Sequence, residues 1–309
     1  MKIAILGATS QIGKDLVRSF AEQSSSELVL YARRPDAVSL WLTSIQLESR
    51  HTVAAFAEFS TDDHFDAIIN FVGVGDPGQT AAMGASILEV TYHYDELATN
   101  YLRYHPECRY IFLSSGAAYG SRFDTPVDEN TKAIIDINNL QPQDWYSVAK
   151  LYAESRHRSL THLPIVDVRV FNYFSHTQDM NSRFLITDIV RAIRDKEELK
   201  TSSAYMVRDY LHPSDFHRLI ECIFKSKPTN LSIDCYSKAP VEKFALLQTL
   251  HQRFGLKYQI DKSLAGVNAT GSKPYYYSLN KRGRYFGYEP QITSLDGVVL
   301  EIKNYLSRY

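Results

Sequence analysis

The chain has 309 residues, with 34 lysines and arginines against 35 aspartates and glutamates, and it nowhere carries five consecutive basic residues. The sequence therefore lacks the excess of clustered basic residues that is typical of nucleic-acid-binding proteins, so no nucleic-acid partner is expected. Three widely spaced cysteines indicate neither a disulfide framework nor a zinc site. The sequence has no apolar run near ~18 residues and no signal peptide, so we expect a cytoplasmic protein with no membrane partner.

The first half of the chain alternates strand patterns with helix patterns. Residues 2–7 form an apolar run typical of a buried strand, and Leu16, Val17 and Phe20 then recur at helical spacing. Four later segments have the same strand character, with helical stretches between them: 27–35, 65–73, 109–120 and 163–172. Strands that alternate with helices predict an α/β fold, with a doubly wound parallel sheet and helices on both faces.

A glycine-containing loop, Gly7 to Gly13, lies between the first strand and the first helix. The backbone amides of such a loop, together with the positive end of the following helix, can bind a pyrophosphate. An ordinary turn is the alternative, but its position in the first strand–helix unit favours a dinucleotide. Ser10 stands where a middle glycine is usual, so the backbone there must keep a negative φ or accept strain.

Two arginines, Arg33 and Arg34, follow the second strand, twenty residues beyond Gly13. An NAD-binding site places Asp or Glu at this point to hold the ribose 2′-hydroxyl. Two guanidinium groups suit the 2′-phosphate of NADP instead, so NADP(H) is the preferred cofactor and NAD the alternative. A basic surface turn would give the same pattern.

Three tyrosines stand four residues before a lysine, the spacing that places two side chains on one helix face: Tyr146 with Lys150, Tyr258 with Lys262, and Tyr277 with Lys281. Tyr258 lies in a strand-like segment, where residues four apart are about 13 Å apart, and Tyr277 lies in a loop-like stretch. Tyr146 opens a helical segment and follows a strand that ends near Ser115. A hydroxyl at that strand end could bind a substrate oxygen while Tyr146 transfers the proton. Context therefore favours Tyr146 with Lys150.

The pattern becomes irregular after Asn172, where amphipathic segments, one short strand and a tyrosine-rich stretch follow without a repeat or a low-complexity linker. We therefore expect residues 1–171 to form a dinucleotide-binding domain. Residues 172–309 are expected to form mainly a smaller, interwoven substrate-binding region, with segments near 207–236 returning to the first domain.

These motifs occur together in an order that resembles the extended short-chain dehydrogenases/reductases, the group of NAD(P)-dependent nucleotide-sugar epimerases, dehydratases and ketoreductases. The resemblance covers essentially all 309 residues. It rests on GATSQIG, NFVG, SSGAAYG, Tyr146-x-x-x-Lys150, RVFN and RDYLH. It implies a Rossmann-like fold, a nicotinamide cofactor, a nucleotide-diphosphate sugar as substrate, and a homodimer, which is common in this group.

The resemblance also implies roles for individual residues. Ser115, Tyr146 and Lys150 would form the catalytic set, with Tyr146 as the acid/base and Lys150 holding the nicotinamide ribose. The residues expected to contact the substrate are Ser115 and Gly116, and, at its diphosphate, Asn172 and Arg208. The residues expected to contact the cofactor, besides Tyr146 and Lys150, are Gly7, Thr9, Ser10, Gln11, Ile12, Gly13, Arg33, Arg34, Asn70, Val72 and Gly73. A salt bridge with Asp209 is the alternative role for Arg208.

Two departures from the patterns of this group narrow the reaction. Its dehydratases carry an Asp-Glu pair directly after the catalytic hydroxyl residue, where this chain has Gly116 and Ala117. Members that also epimerise beside the keto group carry a cysteine after that serine, where this chain again has Gly116. Dehydration and this additional epimerisation are therefore not expected.

We expect an enzyme that uses NADPH to reduce a keto group, at C4, of a nucleotide-diphosphate deoxysugar for glycan or polysaccharide precursor synthesis. Hydride would come from the nicotinamide and the proton from Tyr146. An NAD-dependent nucleotide-sugar C4 epimerase is the first alternative, against which Arg33 and Arg34 argue. A non-enzymatic protein that senses NADP is the second, against which the intact set of Ser115, Tyr146 and Lys150 argues.

Overall fold

The computed structural model describes residues 1–73, 77–263 and 273–308. A seven-stranded sheet forms its centre. The strands of this sheet are β1 (Lys2–Leu6), β2 (Glu27–Ala32), β3 (Thr52–Ala55), β4 (Ala67–Asn70), β5 (Arg109–Ser115), β6 (Ile165–Val170) and β11 (Leu231–Asp234). They lie in the order β11, β6, β5, β4, β1, β2, β3, and all neighbours run parallel.

Helices and short strands complete the fold. The helices are α1 (Gln11–Gln23), α2 (Pro35–Ser44), α3 (Pro77–Met83), α4 (Ser86–Tyr104), α5 (Trp145–Ser159), α6 (Leu185–Asp195), α7 (Pro213–Lys225), α8 (Lys243–Phe254) and α9 (Ser294–Leu306). The short strands are β7 (Asn172–Tyr173), β8 (Glu198–Ser202), β9 (Val207–Arg208), β10 (Tyr210–Leu211), β12 (Val241–Glu242), β13 (Lys257–Asp261) and β14 (Tyr275–Tyr276). Across the described ranges, no helix has both the length and the apolar character needed to span a bilayer.

Alternation of side chains along the strands covers the sheet on both faces. Ile3 and Ile5 on β1 belong to the core beneath α1, α2 and α7, whereas Ala4 and Leu6 belong to the core beneath α4 and α5. Successive strand residues point to opposite faces, so a strand buried on both faces is apolar throughout its length. The predicted doubly wound, Rossmann-like sheet with helices on both faces is confirmed.

The two edges of the sheet come from a short strand and from the second half of the chain. β3 is not among the predicted strands, since it has only four residues and just one of them is buried. At the opposite edge β11 pairs with β6, and α7 packs against α1. Residues after Asn172 therefore contribute a strand and a helix to the main sheet.

A second apolar core lies among the later helices. It is built by α6, α8 and α9, with Ile189, Leu247 and Ile302 fully buried in it, and β8 pairs with β13 beside it. The chain enters this region just after β6, where β7 pairs with β10. This transition places Asn172 at the carboxyl edge of the main sheet.

A buried cation joins α5 to its neighbours. His157 on α5 is fully buried, with Nδ1 2.6 Å from Asp167 on β6 and Nε2 2.7 Å from Asp95 on α4. Both ring nitrogens can donate only when the imidazole is protonated. Burial by itself lowers the pKa of His157, but the two carboxylates raise it to about 9. His157 is therefore charged at neutral pH and links two helices to the sheet.

We expect this contact to make stability depend on alkaline pH. The pKa of His157 is about 9 in the folded protein against an ordinary value of 6.5, so its stabilisation is complete below 6.5 and is lost as the pH rises through 9. The free energy of unfolding of the wild type should fall by on the order of 1–3 kcal/mol across this window. His157→Gln should be less stable at neutral pH and should lack this decline, as measured by urea denaturation.

His51→Gln is the matched control. His51 is also buried, but in the described part of the chain its ring nitrogens have no hydrogen-bond partner, and burial lowers its pKa. This variant should keep the alkaline decline of the wild type. A decline that persists in His157→Gln would assign the pH dependence to another group.

Candidate active site

The carboxyl edge of the sheet brings the candidate catalytic residues together. Ser115 ends β5, and the Ala117 N–H of the following turn donates to its Oγ at 3.2 Å. α5 begins one residue before Tyr146, so Tyr146 and Lys150 lie one turn apart on the same face. Ser115 lies close enough to the Tyr146 phenol to lower its pKa against the effect of burial, and Lys150 Nζ lies 5.8 Å from the centre of the Tyr146 ring.

Burial determines the protonation of this set. It raises the pKa of the Tyr146 phenol, while Ser115 opposes the rise, so the phenol holds its proton at neutral pH. Burial also lowers the pKa of Lys150 to about 8, against the attraction of Glu154 and two aspartates. Lys150 Nζ donates to the Leu113 carbonyl at 2.7 Å. A largely cationic ammonium is thus held beside a neutral phenol.

The other two tyrosine–lysine pairs lie apart from this contact. Tyr258 is on β13, as its alternating pattern predicts. Tyr277 follows β14, and Lys281 Nζ lies 3.8 Å from the centre of the Tyr236 ring. Within the described ranges, neither tyrosine forms a hydrogen bond with Ser115.

The loop between β1 and α1 has the geometry of a phosphate-binding turn. Gly7 has φ +82°, and a Cβ there would lie 2.9 Å from the Val72 nitrogen, so the position requires glycine. Ser10 has an ordinary φ of −68° and caps α1 by accepting from the Gly13 N–H at 3.0 Å. Serine therefore replaces the usual glycine without left-handed strain and adds a helix cap.

The other residues of this loop divide between backbone and side-chain roles. The amides of Gln11 and Ile12 begin a 13-residue helix and have no acceptor within it, which leaves them available to an anion. The Gln11 side chain donates to Ser175 at 3.0 Å, Ile12 packs against the core, and Thr9 is exposed. The loop thus offers its backbone, rather than the Gln11 side chain, to a cofactor.

The turn after β4 lies next to the candidate lysine. Asn70 is buried, donates to the Tyr110 hydroxyl at 2.9 Å and accepts from the Val72 N–H at 2.9 Å. A Cβ added at Gly73 would lie 3.6 Å from Lys150 Nζ. Asn70 therefore shapes the turn from inside, and Gly73 lies next to Lys150.

Exposed arginines lie at the end of β2. Arg33 and Arg34 connect β2 with α2, and neither forms an ion pair in the described part of the chain. Lys14 on α1 is close to them: burial lowers its pKa, and the charges of Arg18 and Arg34 lower it further against the opposing Asp15. Positive charge is therefore concentrated at this corner beside the glycine loop.

Arg208 is a buried cation. It is 7% exposed and donates to the carbonyl groups of Val207 at 2.8 Å and Lys273 at 2.7 Å. The salt bridge with Asp209 does not form, because the Asp209 carboxylate accepts from the Ser237 N–H. Among the residues the structure describes, no carboxylate lies within salt-bridge distance of the Arg208 guanidinium.

Lys273 is a second cation beside Arg208 and is not among the predicted site residues. Burial lowers the pKa of Lys273 to about 8, and the charge of Arg208 lowers it further, while Asp144 acts in the opposite direction. Asn172 donates to the Tyr276 carbonyl at 3.2 Å, and Tyr276 is the register partner of Arg208. Asn172, Arg208 and Lys273 therefore line one region.

Packing excludes a side chain directly after the candidate serine. A Cβ added at Gly116 would lie 2.4 Å from the Phe171 ring. Phe171 is 7% exposed and packs against Phe123 and Tyr276. An acidic residue or a cysteine at position 116 would therefore require a different placement of Phe171.

Tyr276 is the second site residue that the sequence interpretation misses. Its hydroxyl lies 3.3 Å from the Ser115 Oγ, although 161 positions separate the two residues. The run of three tyrosines at 275–277 has no spacing that marks one of them. Only the pairing of β14 with β9 brings Tyr276 to the carboxyl edge of the sheet.

Comparison with known proteins identifies related sequences and folds. The family model described as "NAD dependent epimerase/dehydratase family" matches residues 3–233. No curated protein sequence matches the chain. The family match covers the main sheet from β1 to β11.

Solved structures resemble the chain along its whole length. UDP-glucuronic acid 4-epimerase from Bacillus cereus, in complex with NAD, has a TM-score of 0.75 at 17% identity, over 100% of this chain and 99% of that one. UDP-glucose 4-epimerase from Thermotoga maritima, with UDP-glucose, has 0.78 at 15%, over 100% and 99%. dTDP-glucose 4,6-dehydratase from Bacillus anthracis, in complex with NAD, has 0.78 at 15%, over 100% and 97%. These similarities establish the fold.

Two neighbouring cations that have no carboxylate within salt-bridge distance among the described residues should attract an anion. We expect inorganic pyrophosphate to raise the melting temperature of the wild type, because it relieves the repulsion between Arg208 and Lys273. Arg208→Met should weaken this binding at least tenfold, about 1.4 kcal/mol, as measured by calorimetric titration. Lys225→Met, which removes an exposed charge from α7, should bind as the wild type does. Equal pyrophosphate affinity in both variants would contradict this role for Arg208.

Proposed function

Because the chain belongs to the NAD-dependent epimerase/dehydratase family, we propose that it is an NADPH-dependent reductase of the C4 keto group of a nucleotide-diphosphate deoxysugar. The observation that carries this proposal is the convergence of Ser115 at the end of β5 with Tyr146 and Lys150, which lie one turn apart on α5. Tyr276 connects this set to Arg208 and the cations that suit a diphosphate. Proton transfer and anion binding are thus available at one edge of the sheet.

A nicotinamide dinucleotide fits the residues around the first strand end. Gly7 allows close backbone approach, and the amides of Gln11 and Ile12 offer donors to its diphosphate. Lys150, next to Gly73, would hold the nicotinamide ribose. When bound there, the cofactor supplies the hydride.

The charge at the end of β2 supports NADPH rather than NADH. Arg33 and Arg34 are exposed and free of ion pairs in the described ranges, so both can hold a ribose 2′-phosphate. Lys14 adds positive charge beside Arg34. An NAD site would place a carboxylate at this strand end instead.

Tyr146 would act as the general acid. Its protonated phenol donates to the carbonyl oxygen of the substrate as hydride reaches the carbon, and the ketone becomes an alcohol. The phenolate left on Tyr146 is stabilised by the nearby charge of Lys150 and by a hydrogen bond from Ser115. The proton is later replaced from solvent.

The substrate diphosphate would bind at Asn172, Arg208 and Lys273. A guanidinium can grip phosphate oxygens with two hydrogen bonds, and Lys273 adds a second charge. Bringing an anion here offsets the cost of two neighbouring cations that have no carboxylate partner within salt-bridge distance in the described ranges. This explains why the fold retains both charges in a partly buried region.

An NAD-dependent C4 epimerase remains the second candidate. Two of the similar solved structures are 4-epimerases, and the same acid/base would serve both reactions. The positive charge at Arg33 and Arg34 favours the reductase. Gly116, packed against Phe171, argues against dehydration because no acidic residue can stand there without moving that ring.

We expect Tyr146→Phe to fold and bind NADPH normally but to lose at least a hundredfold in turnover, since a positioned general acid contributes typically ~10²–10⁴-fold. The measurement is NADPH oxidation with UDP-, GDP-, CDP- and dTDP-linked 4-keto-6-deoxysugars. Tyr258→Phe and Tyr277→Phe are the controls and should stay within about threefold of the wild type.

Activity measurements separate the candidate functions. Near-normal turnover of Tyr146→Phe would contradict Tyr146 as the acid in the reductase and the epimerase alike. NADPH binding without turnover of any of these substrates by the wild type would favour the NADP-sensing protein. Interconversion of the C4 epimers of a nucleotide sugar that carries a C4 hydroxyl, without net NADPH consumption and abolished in Tyr146→Phe, would assign the epimerase.

Cofactor choice gives a further prediction. The wild type should bind NADPH at least tenfold more tightly than NADH, about 1.4 kcal/mol, and the Arg33→Ala/Arg34→Ala double variant should lose this preference. Fluorescence titration measures both affinities. Arg103→Ala, which removes an exposed arginine from α4, should keep the preference. An unchanged preference in the double variant would make the two arginines a surface turn.

A further inference from the structure

The Ser115 hydroxyl lies close to two phenols. It opposes the effect of burial on the pKa of Tyr146, and the Tyr276 hydroxyl lies 3.3 Å from its Oγ. The Ala117 N–H donates to that oxygen at 3.2 Å. Tyr276 belongs to β14 and reaches the catalytic edge from the last part of the chain.

The hydrogen bonds of Ser115 can be counted. A serine hydroxyl has one proton and two acceptor positions, and the Ala117 N–H fills one of these positions. Burial raises the pKa of Tyr276, so this phenol keeps its proton, and Ser115 Oγ is the acceptor within its reach in the described ranges. The Tyr276 proton then fills the second position. The Ser115 proton is left to point at Tyr146 and at the reacting oxygen.

We propose that Tyr276 is a positioning residue that donates a hydrogen bond to Ser115. This contact fixes the Ser115 hydroxyl as a donor toward the Tyr146 oxygen and the substrate carbonyl oxygen, between which the proton moves. This inference rests on the proposed function, because it concerns the proton transfer from Tyr146. As Tyr146 becomes a phenolate, the oriented Ser115 hydroxyl stabilises it. Tyr276 thus acts on the reaction through Ser115.

Packing holds the Tyr276 ring independently of its hydroxyl. The ring meets Phe123 edge-on at 4.7 Å and Phe171 at 5.2 Å between ring centres. Lys273 Nζ and the Arg208 guanidinium lie 4.7 and 5.9 Å from the ring centre. Removing only the hydroxyl therefore leaves the ring in place. These contacts also connect the expected diphosphate position to the orientation of Ser115.

Tyr276→Phe tests this role in the full-length protein. We expect kcat to fall about five- to tenfold with KM within about twofold, because one hydrogen bond that acts in the transition state is lost. Reduction needs Tyr146 in its protonated form, and losing the hydrogen bond that Ser115 donates should raise the pKa of Tyr146. The alkaline limb of the plot of kcat against pH should therefore move to higher pH. Tyr275→Phe and Tyr277→Phe are the matched controls from the same run of three tyrosines and should change neither kcat nor its dependence on pH.

A double variant shows whether the effect passes through Ser115. In a Ser115→Ala background, adding Tyr276→Phe should lower kcat by no more than about twofold, because the group that Tyr276 orients is already absent. An effect of Tyr276→Phe that persists in full in this background would overturn the proposal.

An NMR titration provides a readout that does not require turnover. With isotope-labelled tyrosine, the Tyr146 resonance is assigned by its absence in Tyr146→Phe, and its titration should move to higher pH in Tyr276→Phe. An unchanged titration of Tyr146 in Tyr276→Phe would overturn the proposal. If the KM of Tyr276→Phe also fell, the Tyr276 hydroxyl would instead occupy the place of the substrate oxygen. If the wild type turns over no 4-keto nucleotide sugar while the titration still moves, the proposed function fails and the positioning of Ser115 by Tyr276 stands.

Discussion

The attachment of α5 to the sheet by buried charges is the interaction on which the site depends. Tyr146, Lys150 and Glu154 follow one another at one-turn intervals, and Glu154 accepts from Arg169 on β6 at 2.9 Å while His157 bonds Asp167 of the same strand. These contacts set the rotation of α5 and its position along β5, and so hold the phenol against the serine. Breaking one such pair leaves an uncompensated buried charge, at a cost of about 3–5 kcal/mol. Glu154 also keeps Lys150 cationic, because its charge opposes the effect of burial on the lysine pKa.

The opposite wall of the site has a different physical basis. Here a short strand, β14, pairs with β9 and brings Tyr276 and Lys273 beside Arg208. Aromatic packing holds this wall, and its cations have no carboxylate within salt-bridge distance in the described part of the chain. On the first wall Glu154 and His157 are paired with opposite charges, whereas on the second Arg208 and Lys273 have no such partner within salt-bridge distance in the described ranges. This difference supports the proposal that a substrate anion binds at the second wall.

The fold does not choose the reaction. Structures as similar as these include 4-epimerases and a 4,6-dehydratase, so architecture alone leaves several chemistries open. The proposed choice rests on individual positions: Gly116 lies against Phe171 and leaves no room for an acid, and Arg33 and Arg34 place positive charge where the proposed NADPH would carry its 2′-phosphate. Packing at one position and charge at two others thus support the proposed reductase.

The sequence by itself determined the fold class and indicated the contact between Ser115, Tyr146 and Lys150, because strand alternation and helical spacing are local properties. It also placed the glycine loop between β1 and α1, although only the structure showed that Ser10 caps the helix rather than straining the turn. Tertiary structure alone decided the positions of Lys273 and Tyr276, since their neighbours are distant in the chain and arise from the pairing of β14 with β9. The run of three tyrosines contains no periodicity that distinguishes Tyr276 from its two neighbours. The pairing of β14 with β9 determines which of the three side chains lies next to Ser115.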